Sequence, residues 1–290
     1  VPNYTYPGID PLHAAVKNRL GINAHDDFEI ISAALVAARV AEIIEGEGPA
    51  GSFDADHLKA IHRHLFQDVF EWAGHTRDEP VTLSDGTVAT EPLLRKMDGS
   101  PFMQGPLIAP ALQRIAVTLR ESNYLRGLSR GEFATRAADI MVEINGIHAF
   151  REGNGRTQRA FIRELAKQAG HELDFSVVSR ERMILASIAG NDHSDPSMMR
   201  RMFVEIADPA RVAALAKALD GLGRLNFPWN DRYVATAEPG HRVEVTMAGI
   251  AGDQFMARTT SEILIGQVSD LPQPRPARGE TFTFEPSEWE

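Results

Sequence analysis

His148, Glu152, Arg156 and Arg159 share one short run, His148-Ala-Phe-Arg-Glu-Gly-Asn-Gly-Arg-Thr-Gln-Arg159. A histidine titrates near neutral pH and can remove a proton. Gly153 and Gly155 allow backbone angles that other residues resist. The amides of 153–155, with Asn154 shaping the turn, can then converge as an anion nest where a helix begins. Arg156 and Arg159 fall at i and i+3, on one face of the first helical turn. Cations there oppose the helix dipole and cost stability unless an anion answers them. Such a conflict with a local rule marks a site. Glu152 would repel bound phosphates unless a divalent cation lay between, and Mg²⁺ suits a carboxylate plus phosphate oxygens. The chemistry implied is a polyphosphate grip with a base beside it, and Phe150 is the expected anchor of the loop. Taken singly, a histidine near a helix end is more often structural, a Gly-Asn-Gly is more often a turn, and an exposed arginine more often meets a nearby carboxylate. Together they favour a site.

Positioning these residues requires helices. Up to about residue 220 the apolar spacing is helical, with segments predicted at 27–45, 54–72, 106–124, 129–145, 155–170, 179–189, 196–206 and 208–219. Ser52 or Asp54 can cap the second of these, and Ser129 with Glu132 fits a capping box. Residues 78–92 are rich in β-branched residues and carry Asp85-Gly86, a hairpin turn signal. This predicts a two-stranded ribbon between helices, with a plain connector as the competing reading. Residues 221–230 are rich in Gly, Pro and Asn and read as a linker. From 231 to 290 five short segments, 233–237, 241–248, 254–259, 261–268 and 281–284, alternate apolar and polar residues, which suggests a small barrel of OB type. The expected fold is therefore mainly α, over 1–220, followed by an OB-like β-barrel.

Composition narrows the options. The chain has 290 residues, no cysteine and a net charge of −10. Disulfides, thiol catalysis and zinc–thiolate sites are excluded. The acidic balance argues against a nucleic-acid partner, whose affinity would come largely from phosphate neutralisation. The β region alone carries 5 Lys/Arg against 10 Asp/Glu, a net of 5 − 10 = −5, so a structural or docking role is expected there. No apolar run is long enough for a membrane span, and Val1-Pro-Asn-Tyr-Thr-Tyr-Pro-Gly does not resemble a secretory signal peptide. There is no Walker-type phosphate loop. His57, His62 and His64 form no metal-binding spacing and are expected on a partly exposed helix surface.

The pattern His148-x-Phe150-x-Glu152-Gly153-Asn154-Gly155-Arg156-x-x-Arg159 resembles the defining motif of Fic-domain proteins, with Ala149 replacing a frequent proline. Residues 58–74 resemble the family's upstream helix, the ribbon at 78–92 lies where the family carries a flap, and 170–175 with 180–188 resemble Bartonella-type secreted effectors and conjugation-linked toxins. The resemblance implies a Fic domain over 1–220 and transfer of AMP from ATP to a hydroxyl of a target protein. It implies His148 as the base and Glu152 as the Mg²⁺ ligand. Gly153, Asn154 and Gly155 would hold the α- and β-phosphates, with Arg156 and Arg159 on the outer ones. Val81 and Thr82 would present the target on the flap, and Met183 and Asn191 would face adenine and ribose. It further implies a toxin or effector of the bacterial cytoplasm, open to translocation into a recipient or host cell. The family's inhibitory pattern, Ser/Thr-x-x-x-Glu-Gly/Asn, does not occur in this sequence, because Ala41, Ile43 and His148 precede its Glu-Gly pairs. A separate small antitoxin-like partner could supply that glutamate to Arg159. Transfer of UMP or phosphocholine, and a non-catalytic nucleotide-binding scaffold, are the competing expectations.

Overall fold

The computed structural model describes residues 4–6, 15–96 and 100–289. The chain divides into two compact units, Val1–Arg126 with Glu143–Gly170, and Gly127–Val142 with His171–Glu290.

The first unit contains α1 (His25–Glu45), α2 (Ala55–Phe66), β1 (Val81–Thr82), β2 (Val88–Ala89), α3 (Gly105–Glu121), the last turn of α4 (Arg130–Ile147) and α5 (Asn154–Ala169). Asp54 caps α2 by accepting from the His57 amide; Ser52 does not. The helix predicted over 54–72 ends at Phe66 for a steric reason. Phe66, Phe70 and Trp72 are all buried. At 100° per residue one helix would send Trp72 to the face opposite Phe70. The chain turns instead, and Phe70 stacks on Trp72 with centroids 4.0 Å apart. The ribbon exists: β1 and β2 pair antiparallel, Val81 with Ala89 and Thr82 with Val88. Gly86 takes φ +82° at its turn. The first residue of α3 must be glycine, since a Cβ at Gly105 would lie 2.8 Å from the side chains of Asp78 and Pro92 at the ribbon's base.

The second unit contains the first part of α4, α6 (Arg180–Asp192), α7 (Ser197–Ile206), α8 (Pro209–Arg224) and the strands β3 (Val234–Thr236), β4 (Val243–Ala251), β5 (Gln254–Arg258), β6 (Ile263–Gln267) and β7 (Thr281–Phe284). The capping box forms, with the Ser129 amide donating to Glu132 at 3.0 Å. The expected linker begins inside α8, which runs on to Arg224. All five predicted strands are present, in the order β3-β6-β5-β4-β7. β3 runs parallel to β6 and the other pairs are antiparallel. The expected barrel does not close: β3 and β7 remain the edges of an open sheet among the described residues. Phe255, Phe282 and Phe284 fill its core. Deep in this unit Glu205 is fully buried with Arg182, while Arg211 Nε donates to Thr236 Oγ1 at 2.7 Å. Burial alone would push the Glu205 carboxyl up, but Arg182 and Arg211 hold it below the usual range. No helix among the described residues is long and apolar enough to cross a membrane.

Candidate active site

His148 follows the last turn of α4, its amide bonded to Ile144 O at 3.2 Å. It takes φ +49°, the left-handed region that a non-glycine residue enters only when its surroundings demand it. Its carbonyl accepts from Arg77 Nε at 2.8 Å. Its ring stacks on Phe102, centroids 3.9 Å apart and planes 16° from parallel. Burial pushes the imidazole down to about 4; Arg77 and Lys96 add to this and the Asn145 carbonyl opposes it. His148 therefore stands deprotonated at neutral pH, the form a base requires.

The loop that follows is closed by one side chain. Asn154 Oδ1 accepts from the Phe150 amide at 2.9 Å and Asn154 Nδ2 donates to the Phe150 carbonyl at 2.8 Å. Phe150 is buried and stacks on His62 at 3.9 Å. Gly153 has φ +84°, and a Cβ there would meet the Phe66 ring at 2.3 Å. Gly153 thus has the backbone freedom expected of it. Gly155 does not use such freedom: it sits inside the first turn of α5 without a positive φ. Its missing side chain leaves room for Arg159 instead, whose Nη1 lies 3.4 Å from where a Cβ would be. The first backbone bond at this helix end runs from Thr157 N to Gly153 O, 3.1 Å, so the amides of Asn154, Gly155 and Arg156 have no partner within the helix and are open to a ligand, while that of Gly153 is held by Glu152.

Two charges here are balanced and one is not. Glu152 Oε1 accepts from the Gly153 amide at 2.9 Å and from Arg156 Nη2 at 3.3 Å. Arg156 also lies over the Phe66 ring, 4.8 Å from its centroid. Half-buried Arg159 makes no hydrogen bond or ion pair with its side chain among the described residues. Burial, with Arg156 and Arg163 close by, lowers the hold of its guanidinium on the proton. An arriving anion would relieve all three effects.

The sequence reading assigns no role to Arg77, Arg151 or Phe102, and it places His57 and His62 on a partly exposed helix surface. His57 and His62 are buried instead of lying on the partly exposed surface expected of them. His57 Nδ1 accepts from the Phe53 amide at 3.2 Å. His62 Nδ1 accepts from the Gly74 amide at 2.8 Å, which leaves Nε2–H to donate to the Glu152 carbonyl at 3.0 Å. That pair of partners fits only the neutral ring, and burial pushes its pKa down to about 3. Arg151 donates to the Thr76 carbonyl at 3.1 Å and to the Ala89 carbonyl of β2 at 2.7 Å, tying the motif loop to the ribbon. Val81 is half-buried and Thr82 exposed on β1. Met183 and Asn191 lie half-buried on α6 of the second unit.

The Fic/DOC family model matches residues 52–166, which contain this whole arrangement. The chain belongs to the Fic/DOC family. A protein adenylyltransferase of Bartonella henselae is 35% identical over 271 residues, covering 93% of this chain and 49% of that relative. The chain thus spans about half the length of that curated relative. The solved type IV secretion system effector protein BepA superposes with a TM-score of 0.88 at 33% identity, covering 99% of this chain and 97% of BepA. The Bartonella tribocorum BepC structure, with bound AMPPNP, gives a TM-score of 0.67 at 38% identity over 71% of this chain and 97% of its own. This Fic chain therefore resembles BepA along nearly its full length and BepC over 71% of it.

Proposed function

We propose that this chain is a protein adenylyltransferase, moving AMP from ATP to a Ser, Thr or Tyr hydroxyl of a target protein and releasing pyrophosphate. The observation that carries it is the unpaired Arg159 beside the open first turn of α5, next to the asparagine-closed loop that leads from deprotonated His148. The nucleotide analogue in BepC supports a nucleotide as donor. His148 takes the proton of the target hydroxyl, whose oxygen attacks the α-phosphorus in line as the bond to pyrophosphate breaks. The amides of Gly153, Asn154 and Gly155 hold the α- and β-phosphates, and Arg159 holds the terminal one. Arg156 turns from Glu152 to phosphate. Positioning and charge stabilisation supply most of the rate.

The donor set admits Mg²⁺ in one way. Glu152 is a single carboxylate, 43% exposed, and no group of three potential ligands forms among the described residues. The ion would be held jointly by Glu152 and the nucleotide, and would screen the phosphate charge. Met183 and Asn191 face adenine and ribose in this reading. The main chain at Val81 and Thr82 docks an extended segment of the target by strand addition. A small antitoxin-like partner offering a glutamate to Arg159 would switch transfer off. Likeness to Bartonella effectors supports a toxin or effector that is translocated.

Incubation with α-labelled ATP, Mg²⁺ and a host or bacterial lysate tests the proposal. Label on a protein, lost with His148→Ala, is expected. Label only from UTP or a choline nucleotide would change the donor. Tight ATP binding with no labelling from any nucleotide would leave a scaffold.

A further inference from the structure

One side of the His148 imidazole is covered by a residue that lies outside the motif. Phe102 comes from the segment between the ribbon and α3, and its half-buried ring lies face to face with the imidazole at 3.9 Å. The same segment is tied to His148 through its main chain. The Arg77 side chain is fully buried and donates in four directions: Nε to the His148 carbonyl at 2.8 Å, Nη1 to the Glu91 and Pro92 carbonyls at 3.1 and 2.9 Å, and Nη2 to the Met103 carbonyl. The Arg77 amide donates to the Ala149 carbonyl at 2.8 Å. One guanidinium therefore joins the backbone of His148, the end of the ribbon and the residue after Phe102. The planar fork suits this task, since it fixes several acceptors in one plane.

We propose that Phe102 is a positioning residue for His148, clamping the imidazole in the orientation that meets the target hydroxyl, with Arg77 holding the clamp in register with the ribbon. His148 sits at φ +49°, and its side chain leaves a strained turn. A flat partner on one ring face restricts rotation about χ2 and leaves the ring edge free. The stack also excludes water from that face. Other charged groups near the ring are Arg77 and Lys96, and Lys96 Nζ lies 5.5 Å from the Phe102 centroid. The inference rests on the reading of His148 as the base.

The test compares wild type, Phe102→Ala, Phe102→Tyr, Arg77→Lys and His148→Ala as whole chains. Labelling rates with α-labelled ATP in lysate are measured together with the His148 imidazole titration by NMR, assigned by the signal lost in His148→Ala. Phe102→Ala is expected to lower the maximal labelling rate on the order of 100-fold, the size of effect a misplaced reacting group gives. KM for ATP should stay unchanged and the His148 midpoint should rise toward the ordinary histidine value. Phe102→Tyr should restore both. Wild-type rate and an unmoved midpoint in Phe102→Ala would overturn the proposal. So would a slow Phe102→Tyr that matches Phe102→Ala. Arg77→Lys should act like Phe102→Ala if it folds; the Phe102 variants decide the matter if it does not. Absence of labelling by wild type itself would instead remove the adenylyltransferase reading, and the titration would still judge the clamp.

Discussion

His62 shows how much a buried residue outside the motif contributes to it. Its ring holds the Glu152 carbonyl with one nitrogen and the Gly74 amide with the other, which only a neutral imidazole can do. In the folded protein its pKa is pushed down to about 3 from 6.5. Below 6.5 the unfolded chain binds a proton that the folded chain refuses, so stability falls as pH drops from 6.5 toward 3 and is unaffected by this group above that window. The slope should approach about 1.4 kcal/mol per pH unit. Denaturant titrations at pH 7 and pH 5 should show it in wild type, and a flatter dependence in His62→Gln, which should also lose about 1–3 kcal/mol at pH 7 for the unpaired Gly74 amide. The burial of His62 has a signal in the sequence. The residue lies four residues after Leu58 and three before Leu65, on the same apolar stripe. The motif itself was legible because its contacts are local: Asn154 reaches back four residues to Phe150, and Arg156 four to Glu152. Arg77, which meets His148 across 71 residues, carries no such local signature.

At the scale of elements, the ribbon is the piece least able to stand alone. Two residues per strand cannot hold a hairpin in water. It is held by side chains from outside. Arg151 ties Ala89 and Arg77 ties Glu91, while Lys17 donates to Asp85 at 2.6 Å and Glu71 accepts from the Ser84 amide at 2.9 Å. Lys17, with the Thr87 amide, keeps the Asp85 carboxyl down at about 2, so this tie lasts through the physiological range. Replacing Lys17 and Glu71 together by Ala should speed hydrogen exchange over residues 81–89 while the melting transition hardly moves. Equal exchange in the two proteins would show that the inner ties suffice. Asp85-Gly86 and the β-branched flanks announced the ribbon. The early end of α2 was not announced, because it depends on where Trp72 must pack rather than on any breaker near Phe66.

Across the whole molecule the two units are built on different principles. The first gathers its buried cations around carbonyls, as with Arg77 and Arg151. The second buries a carboxylate, Glu205, between Arg182 and Arg211. Glu205→Gln would leave two guanidiniums without their counter-charge and should cost about 3–5 kcal/mol, read by denaturant unfolding. The position of every strand in the second unit was legible from alternation, which is a local property. Closure of the sheet was not, because it depends on whether the edge strands β3 and β7 find each other. A different consequence follows from the small ring that Asn154 makes with Phe150. Residues 150–154 lose their conformational freedom when the protein folds, not when a ligand arrives. In the proposed reaction a phosphate entering this loop would meet donors already ordered, leaving more of its interaction energy to stabilise the transferring group.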